Sequence, residues 1–588
     1  MTRFLKHALA WWAAISFAVA LYDIVTGGFH ITIAGLRISS FEAYKPFRNG
    51  IACACAAFWL RDRRAADNTW WSRIARWSLP IAIGAAGVSV LLAIRFGIFT
   101  AGGSDSYGYV SQAALWASER VTVPEPLAPI GHALGIITAP LGYRPASVAG
   151  ASVPTYAPGY PMLMAVATKL AGKAAVYYVV PLCAGMAVLM TFLVGARFAG
   201  SRTGMIAAIL LACSPIFVFQ SLEPMSDVPV TMWFMIAWWL LLYDGTLPTA
   251  GAGLATAAAI LTRPNLVLLA PVLGLFALRG KQRVPRGLWF GLGVLPGIAA
   301  VAMIDRHMYG TASMSGYGSL SELFDWRNVV PNLQRYPVWL VQLQTPVILI
   351  ALVAPFVSRR EPDAERVIHD PRSVAVWMIA FGVVLLISYL FYGVFEDWPY
   401  LRFLLPVIPL LLVLGSSVFV TGLFHAPVAL RGAAVFTLCV LLGTWYLKKA
   451  DAIGVYAIGF SERRYESVGR YLARALPPKA AVLTVIESGS VRLYADRATL
   501  RWDEVPAGKL DVTIEALRTS GYAPFILLED WEESMFRARF GRADLAGRVD
   551  WPPAIECYGP ITVRIYDPAD RKRYLAGERW LPKIVPHM

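Results

Sequence analysis

The chain has 588 residues, of which 57% are hydrophobic and 15% are charged, whereas a soluble domain has roughly 25% charged residues. Its mean hydropathy is +0.54, and 53 basic against 38 acidic residues give a net charge of +15. These values exclude a disordered chain, a fibrous repeat and an ordinary cytosolic enzyme, because globular packing cannot hide so much apolar surface from water. The sequence therefore predicts a polytopic α-helical membrane protein.

Thirteen apolar segments are candidates for membrane-spanning helices, since a span needs about 20 mostly apolar residues. They cover residues 8–26, 44–60, 78–97, 175–195, 204–221, 228–243, 250–262, 264–279, 287–304, 338–357, 374–393, 403–421 and 428–447. The spans 44–60 and 250–262 are short. No cleavage site follows the first span, so we expect it to stay in the mature protein.

The positions of the basic residues predict the orientation, because cytoplasmic loops are enriched in Lys and Arg. With Arg3 and Lys6 in the cytoplasm, every second loop is cytoplasmic. Those loops hold Arg61, Arg63, Arg64, Arg73, Arg76, Arg197, Arg202, Arg279, Lys281, Arg283, Arg286, Arg359, Arg360, Arg366, Arg372 and Arg431. This pattern explains most of the positive charge without nucleic acid as a partner. In a Gram-negative cell this orientation corresponds to an inner (cytoplasmic) membrane with a periplasmic outer face, which in another organism would be extracellular or lumenal. The apolar stretch 156–172 is expected to stay outside.

Four parts of the chain follow from this topology. They are three N-terminal spans (1–97), a first large periplasmic loop (98–174), a transmembrane core (175–447) and a C-terminal periplasmic domain (448–588). The last part has 22 basic and 19 acidic residues and no apolar run long enough to span. Predicted strands at 480–486, 524–528 and 561–566, with amphipathic helices at 466–476 and 512–520, indicate a soluble α/β domain.

The first of four outer-face clusters lies in the loop after the third span. Asp105 follows two glycines and precedes a predicted helix with Tyr107 and Tyr109. An acidic residue held there could take a proton from an acceptor, but Asp and Ser also cap helices by accepting backbone N–H bonds. Both interpretations stay open.

The second cluster is the string TYAPGYP at 155–161, whose prolines and glycine predict a rigid turn. Its tyrosines, Tyr156 and Tyr160, could stack on a sugar ring or could simply form an elbow of the backbone.

The third and fourth clusters place arginines beside carboxylates at the outer membrane boundary, where a charge is costly unless it is paired or functional. In the third, Glu223 and Asp227 face Arg263, which could form an ion pair or bind a phosphate. In the fourth, Glu396 and Asp397 precede Arg402. That arginine could hold a lipid-linked phosphate or could only extend its charge towards water from a helix end.

In this order and on one face, the four clusters resemble the GT-C superfamily of membrane glycosyltransferases, which includes protein O-mannosyltransferases and the aminoarabinose transferase. The resemblance covers roughly residues 98–420 and rests on Asp105, YAPGYP, SDVP at 226–229, LTRPN at 261–265 and YLRFLLP at 400–406. This sequence departs from the family pattern in having three spans before the motif loop, where one is usual. It also departs at Ser106, where several members have a second acidic residue.

The resemblance implies an enzyme that moves a sugar from a polyprenyl-phosphate donor to a lipid, glycan or protein acceptor on the periplasmic face, with inversion. Asp105 is then the general base, Arg263 and Arg402 bind the donor phosphate, and the tyrosines and remaining carboxylates contact sugar or acceptor. Because Ser106 replaces the second acid, a divalent metal is possible but not favoured. No nucleotide or redox cofactor is expected, since the activated sugar-phosphate bond supplies the driving force.

Two alternatives belong to other functional classes. A lipid or polysaccharide flippase would usually show inverted repeats and charges near mid-bilayer, and neither is found in the sequence. An assembly protein could recruit partners through Trp531, Glu532 and Glu533.

Overall fold

This computed structural model describes residues 2–33, 36–42, 44–59, 67–279, 282–312, 314–318, 323–361 and 370–586. The basic loop residues Arg61, Arg63, Arg64, Lys281 and Arg366 lie outside the described residues. The protein consists of a large helical part followed by a C-terminal region, residues 448–588, that contains the largest sheet.

Residues 2–452 are mostly helical, with several long apolar helices among shorter ones. The α-helices of this part are Thr2–Thr26, Tyr44–Trp59, Asp67–Phe96, Asp105–Ala117, Ala128–Leu134, Gly159–Ala171, Val179–Phe198, Ser201–Cys213, Pro215–Leu222, Asp227–Leu241, Thr246–Thr262, Ala270–Ala277, Arg283–Tyr309, Val329–Gln344, Ala354–Val357, Pro371–Leu390, Ile408–Leu423 and Val428–Ala452. Shorter 3-10 helices are Lys173–Tyr178, Pro264–Leu269, Trp326–Asn328, Pro346–Val353 and Trp398–Val407.

Every one of the thirteen predicted spans coincides with helix, but the count of thirteen is not confirmed. In the described part of the chain, six helices are long and apolar enough to cross a membrane, or eight if each of two bent pairs is one span. The segments 228–243, 250–262 and 264–279 are apolar helices of fewer than 18 residues.

Two predicted spans are broken rather than straight. The helices of 201–222 meet at an angle of 59°, where Pro215 follows Ser214, and those of 326–357 meet at 103°, where Pro346 follows Thr345. Proline has no N–H to donate and disfavours helical backbone at the residue before it. Thr345 has φ +59°, so the sequence 338–357 cannot form one continuous helix.

Two small sheets belong to the helical part. Phe29–Ile33 and Leu36–Ser40 form an antiparallel hairpin. Val123–Pro124 and Tyr143–Pro145 flank Ala151–Pro154 in a three-stranded antiparallel sheet within the loop after the third predicted span. The apolar stretch 156–172, expected to stay outside, contains the 13-residue helix Gly159–Ala171.

A six-stranded mixed sheet organises the C-terminal region. Its strands, in spatial order, are Lys583–Pro586, Ile555–Tyr558, Val563–Tyr566, Ala523–Glu529, Ala480–Leu483 and Ala498–Leu500. Its α-helices are Ile458–Glu462, Arg464–Ala475, Ser488–Ser490, Leu510–Thr519, Glu532–Phe540 and Asp570–Leu575; Val491–Ala495 is a π-helix, and Trp502–Glu504 and Ala546–Arg548 are 3-10 helices.

The predicted elements of this region overlap the observed ones. The strand predicted at 480–486 occupies 480–483, the one at 524–528 lies within 523–529, and the one at 561–566 begins at Val563. The sequence predicted that this third strand is the last one, and that prediction is wrong. A later strand, Lys583–Pro586, pairs in parallel with Ile555–Tyr558 at the edge of the sheet.

Candidate active site

A cavity of about 1090 Å³ lies where the ends of several long helices meet the loop after residue 96 and the C-terminal region. Its charged and amide lining residues are Asp105, Gln220, Glu223, Arg263, Asn265, Asp305, Asp397, Arg402 and Glu462. All four predicted clusters contribute to it, although they are far apart in the sequence. Arg286 lies at the opposite end of the helix Arg283–Tyr309, whose other end reaches this cavity, and Arg202 lies at the far end of the bent helix pair of 201–222, whose second helix contributes Phe219 and Gln220 to the lining.

Asp105 is the first residue of the helix Asp105–Ala117 and lies on the cavity wall. Its Oδ1 accepts a hydrogen bond from the Tyr156 hydroxyl at 2.7 Å, and its Oδ2 accepts one from Nη2 of Arg402 at 3.0 Å. The helix has no side-chain cap in the structure. The interpretation of Asp105 as only an N-cap is therefore not supported, since its carboxylate contacts two cavity residues instead.

Arg402 lies in the 3-10 helix Trp398–Val407, with 15% of its side chain exposed. Besides Asp105, its guanidinium contacts the sulfur of Met225 at 3.2 Å and lies over the rings of Tyr400 and Phe403. Its Nε is buried and has no hydrogen-bond partner among the described residues. Because Arg402 lines the cavity, its guanidinium places positive charge where an anion that enters the cavity would bind.

Arg263 and Asp227 form an ion pair at 2.8 Å, in which Asp227 is fully buried. Nε of Arg263 donates to the hydroxyl of Ser226 at 3.1 Å, and the same hydroxyl accepts from Tyr109 at 2.9 Å. Nη1 of Arg263 also donates to the Tyr389 hydroxyl at 3.4 Å. The arginine therefore has the ion pair that one alternative expected, yet it also lines the cavity.

Two further carboxyl groups face the cavity beside Arg402. Burial raises the pKa of Glu223 to about 8, with the charges of Glu462, Asp227 and Asp105 adding to the rise and Arg402 opposing it. Burial also raises the pKa of Glu462. With a pKa of about 8, the Glu223 carboxyl group keeps its proton near neutral pH and can donate a hydrogen bond to a substrate oxygen, whereas Glu462 accepts a hydrogen bond from Arg464 at 3.0 Å.

Aromatic rings cover much of the remaining wall. The rings of Tyr109 and Tyr156 lie 4.4 Å apart, and Tyr317 packs edge-on to Tyr156 at 5.7 Å. Phe395 stacks on Tyr400 at 3.8 Å. Such faces suit the C–H surfaces of a sugar ring, as the sequence indicated for Tyr156.

Four residues predicted to contact sugar or acceptor do not line the cavity. Tyr107 is buried against Tyr143 and Gly489, because two positions along a helix place a side chain on the opposite side from Asp105. Tyr160 is buried beneath Tyr109.

The other two are carboxylates. Asp227 lies below the surface as the counter-ion of Arg263. The Glu396 side chain is 89% exposed and lies 3.9 Å from Arg335, whereas Asp397 does line the cavity as predicted.

Several lining residues were missed by the sequence interpretation. Asp305 directly follows the predicted span 287–304 at its outer end, so the predicted topology alone could have placed it on the side of the cavity. Glu462 lies in the C-terminal part, residues 448–588, to which the sequence interpretation assigned no part of the transfer site. Tyr317, Tyr389 and Tyr392 carry no sequence signal that distinguishes them from ordinary boundary aromatics.

The residues around Asp105 supply positive charge through guanidinium groups. Within the described ranges, no group of three or more His, Cys, Asp or Glu residues is arranged to hold a metal ion. A divalent cation at Asp105 would be repelled by Arg402 at 3.0 Å.

Comparison with protein-family models finds no match, and comparison with curated proteins finds none either. Solved structures do match. ArnT from Cupriavidus metallidurans bound to undecaprenyl phosphate is 10% identical, with a TM-score of 0.50, over 84% of this chain and 98% of that one. The Archaeoglobus fulgidus oligosaccharyltransferase in the apo form is 14% identical, with a TM-score of 0.52, over 87% of this chain and 76% of that one.

A second structure of the archaeal oligosaccharyltransferase, tethered to an acceptor peptide containing the NVT sequon, is 13% identical with a TM-score of 0.50 and covers 84% of this chain and 74% of that one. Both neighbours belong to the GT-C superfamily. The resemblance inferred from the sequence is thus confirmed at the level of the fold, which this chain shares over most of its length.

Proposed function

We propose that this protein is a membrane glycosyltransferase that moves a sugar from a polyprenyl phosphate to a hydroxyl group of a lipid, glycan or protein acceptor. The observation that carries the proposal is the convergence of Asp105, Arg263 and Arg402 on one cavity, although the three residues come from distant parts of the chain. The shared fold supports it, since ArnT was solved with undecaprenyl phosphate bound.

The donor phosphate is assigned to the two arginines. Arg263 and Arg402 both line the cavity, and each keeps part of its side chain exposed. Apolar lining residues, among them Phe219, Leu268 and Val301, offer a surface for the first isoprene units. The cavity volume of about 1090 Å³ is sufficient for a sugar phosphate together with part of an acceptor, since ligand pockets span about 300–1,000 Å³.

The transfer step then follows from the positions of the charges. The acceptor oxygen attacks the anomeric carbon, the bond from that carbon to the phosphate oxygen breaks, and the electron pair remains on the phosphate. Asp105 takes the proton of the acceptor hydroxyl, which is worth about 10²–10⁴ in rate for a positioned base. The arginines stabilise the charge that develops on the phosphate, and one displacement inverts the anomeric carbon.

Arg402 connects donor binding with proton transfer, because it contacts the general base Asp105 and is also assigned to the donor phosphate. Its guanidinium is bonded to Asp105 at 3.0 Å, so a phosphate that binds Arg402 competes for it with Asp105. Donor binding thereby loosens the carboxylate from its counter-ion and leaves it ready to accept a proton.

We also assign the cavity to the periplasmic side of an inner membrane, with the N-terminus in the cytoplasm. This assignment rests on the basic residues at the far ends of the helices, among them Arg202 and Arg286. No metal or other cofactor is assigned a role, because the two guanidinium groups already supply the positive charge.

The experiment is transfer of radiolabel from a polyprenyl-phosphate sugar by the purified protein in vesicles that contain envelope lipids and glycans. We expect label on an acceptor and release of polyprenyl phosphate. Label that crosses the bilayer still attached to its prenyl chain would instead support a flippase.

A further inference from the structure

The segment 100–103, which leads from the helix Asp67–Phe96 into the helix of Asp105, is held by the C-terminal region. The hydroxyl of Thr100 donates to the carbonyl of Glu462 at 3.2 Å, and the backbone N–H of Ala101 donates to the Tyr494 hydroxyl at 2.8 Å. The ring of Tyr465 lies directly against Gly102, where a Cβ atom would overlap it. Three consecutive residues of the segment therefore contact residues more than 350 positions later.

The Tyr465 ring has little freedom to move. It is 4% exposed, and its hydroxyl accepts a hydrogen bond from Nη2 of Arg464 at 2.7 Å. Arg464 is bonded in turn to Glu529 at 2.8 Å, at the end of the strand Ala523–Glu529 in the six-stranded sheet. The contact on Gly102 is thus supported by the rigid part of the C-terminal region.

The segment passes this constraint on to the first turn of the catalytic helix. The carbonyl of Thr100 accepts from the Ser106 hydroxyl at 3.2 Å, and the carbonyl of Gly102 accepts from the backbone N–H of Tyr107 at 3.2 Å. These bonds flank Asp105 on its C-terminal side. A shift of Gly102 must therefore move the backbone that carries Asp105.

The C-terminal region also contacts the same loop at later residues, between Glu125 and Leu141. Arg492 binds both carboxylate oxygens of Glu125, at 2.8 and 3.1 Å, and donates to the carbonyl of Thr138 at 2.9 Å. The backbone N–H of Leu141 donates to the Ser488 hydroxyl at 3.1 Å. The C-terminal region is therefore joined to the loop 98–145 at several independent points.

We propose that Tyr465 is a positioning residue for Asp105, and that the C-terminal region acts on the transfer step by fixing the segment 100–103 rather than by recruiting partners. The proposal rests on the proposed function, because it assigns Asp105 to the chemistry. The expectation of a recruiting tail is a separate prediction: of its suggested contact residues, Glu532 is 1% exposed and Trp531 is 48% exposed.

The test uses the full-length protein in detergent and changes the two sides of the contact. Gly102→Ala places a Cβ into the Tyr465 ring, and Tyr465→Ala removes the ring. We expect each single variant to lower kcat about 10- to 100-fold, as for a displacement of about 1 Å at a catalytic group, while the donor KM changes less than about twofold. In the double variant the added Cβ has room, so kcat should be no lower than that of Tyr465→Ala alone.

Two conservative variants and one control separate positioning from general damage. Tyr465→Phe keeps the ring on Gly102 and should retain most of the activity. Tyr494→Phe removes the hydroxyl that accepts from the Ala101 N–H and that also hydrogen-bonds to Tyr177, and we expect about a three- to tenfold fall in kcat from the loss of the bond to Ala101. Arg571→Gln, which breaks an ion pair to Asp550 at 2.8 Å in the same region, should leave kcat unchanged.

A readout that needs no turnover accompanies the kinetics. Amide hydrogen exchange in the helix Asp105–Ala117 should become faster in Tyr465→Ala and should stay at the wild-type rate in Tyr465→Phe. Wild-type kcat and wild-type exchange in both Gly102→Ala and Tyr465→Ala would overturn the inference. If the wild-type protein transfers no sugar, the proposed function fails, and the exchange data alone then decide whether the segment is held as we infer.

Discussion

The carboxylate of Asp105 lies 3.0 Å from the guanidinium of Arg402, although the two residues are 297 positions apart in the sequence. One residue begins a loop helix and the other lies in a 3-10 helix that leads into a long apolar helix. The pair joins the proposed base to the proposed phosphate ligand. We expect Asp105 and Arg402 to separate when a donor phosphate binds.

Replacement of Asp105 by Asn should abolish sugar transfer while the protein stays folded. Asn keeps the size of the side chain and a hydrogen-bonding group beside Tyr156, but it cannot accept a proton at neutral pH. We expect a fall in kcat of about 10²–10⁴-fold, measured as label transferred at saturating donor. Glu119→Gln, at the far and exposed end of this helix region, is the matched control, and near-normal turnover of Asp105→Asn would end the general-base assignment.

Arg402→Gln should weaken donor binding. The variant loses the guanidinium that contacts Asp105 and lines the cavity. A charged hydrogen bond contributes about 1.5–3 kcal/mol, so the Kd for polyprenyl phosphate should rise at least about tenfold in a titration. Arg327→Gln, an exposed arginine outside the cavity lining, provides the comparison. Equal affinity in wild type and Arg402→Gln would return Arg402 to a purely structural role.

The ion pair between Arg263 and Asp227 allows stability and donor binding to be separated. Arg263→Ala leaves Asp227 fully buried without its counter-ion, which costs about 3–5 kcal/mol when one partner of a buried pair is removed. We expect a lower thermal midpoint in detergent. The double variant Arg263→Leu/Asp227→Leu should regain much of that stability because no buried charge remains.

Donor affinity should behave differently in the same variants. The double variant still lacks the guanidinium on the cavity wall, so its Kd for polyprenyl phosphate should stay as weak as that of Arg263→Ala. A double variant that binds the donor as tightly as the wild type would show that Arg263 contributes only to folding.

The stability of the C-terminal region should fall as the pH rises from about 4.5 to about 7. Burial, followed by the charge of Glu529, raises the pKa of Glu532 from 4.5 to about 7. Below pH 4.5 the group is protonated in both folded and unfolded chains. As the pH rises, the unfolded chain ionises first, and the folded state loses relative stability until the pH passes its own pKa.

Glu532→Gln should remove this part of the pH dependence, because the amide is neutral throughout. The measurement is the unfolding midpoint of wild type and variant at several pH values between 4 and 8. The gap between the two should widen in favour of the variant across that interval, and parallel curves would contradict the raised pKa.

Chelation of divalent metal should leave transfer unchanged. The cavity places Arg402 and Arg263 where charge develops on the phosphate, and a cation at Asp105 would have to displace a guanidinium. Turnover is compared before and after treatment with EDTA, with added Mg²⁺ and Mn²⁺ as a further arm. Activity that is lost with EDTA and restored by one metal would require a different description of the site.

The helical segments and the convergence of the four clusters were accessible from the sequence. Apolar runs of sufficient length predict helices wherever they fall, and alternation of basic loops brings Asp105, Arg263 and Arg402 to one side. Hydrophobicity alone could not give the bends at Ser214 and Thr345. At each bend the next residue is a proline, which prevents a continuous helix. A hydropathy averaged over the whole segment does not register a single proline.

Side-chain direction along the helix explains one of the errors within the site. Tyr107 and Asp105 were grouped because they are close in sequence, but i and i+2 on a helix face opposite ways, whereas Tyr109 at i+4 shares the face of Asp105. The packing of the C-terminal region on the segment 100–103 had no sequence signal at all. Gly102 permits that close approach, and only the tertiary structure shows that Tyr465 fills the space.

A structure of the protein with polyprenyl phosphate bound is the most direct test of the account. We predict that the phosphate lies in the cavity within hydrogen-bonding distance of Arg402 or Arg263, and that the Asp105 carboxylate is separated from Arg402. A phosphate bound at another place on the protein, with Asp105 and Arg402 still joined, would contradict the proposal.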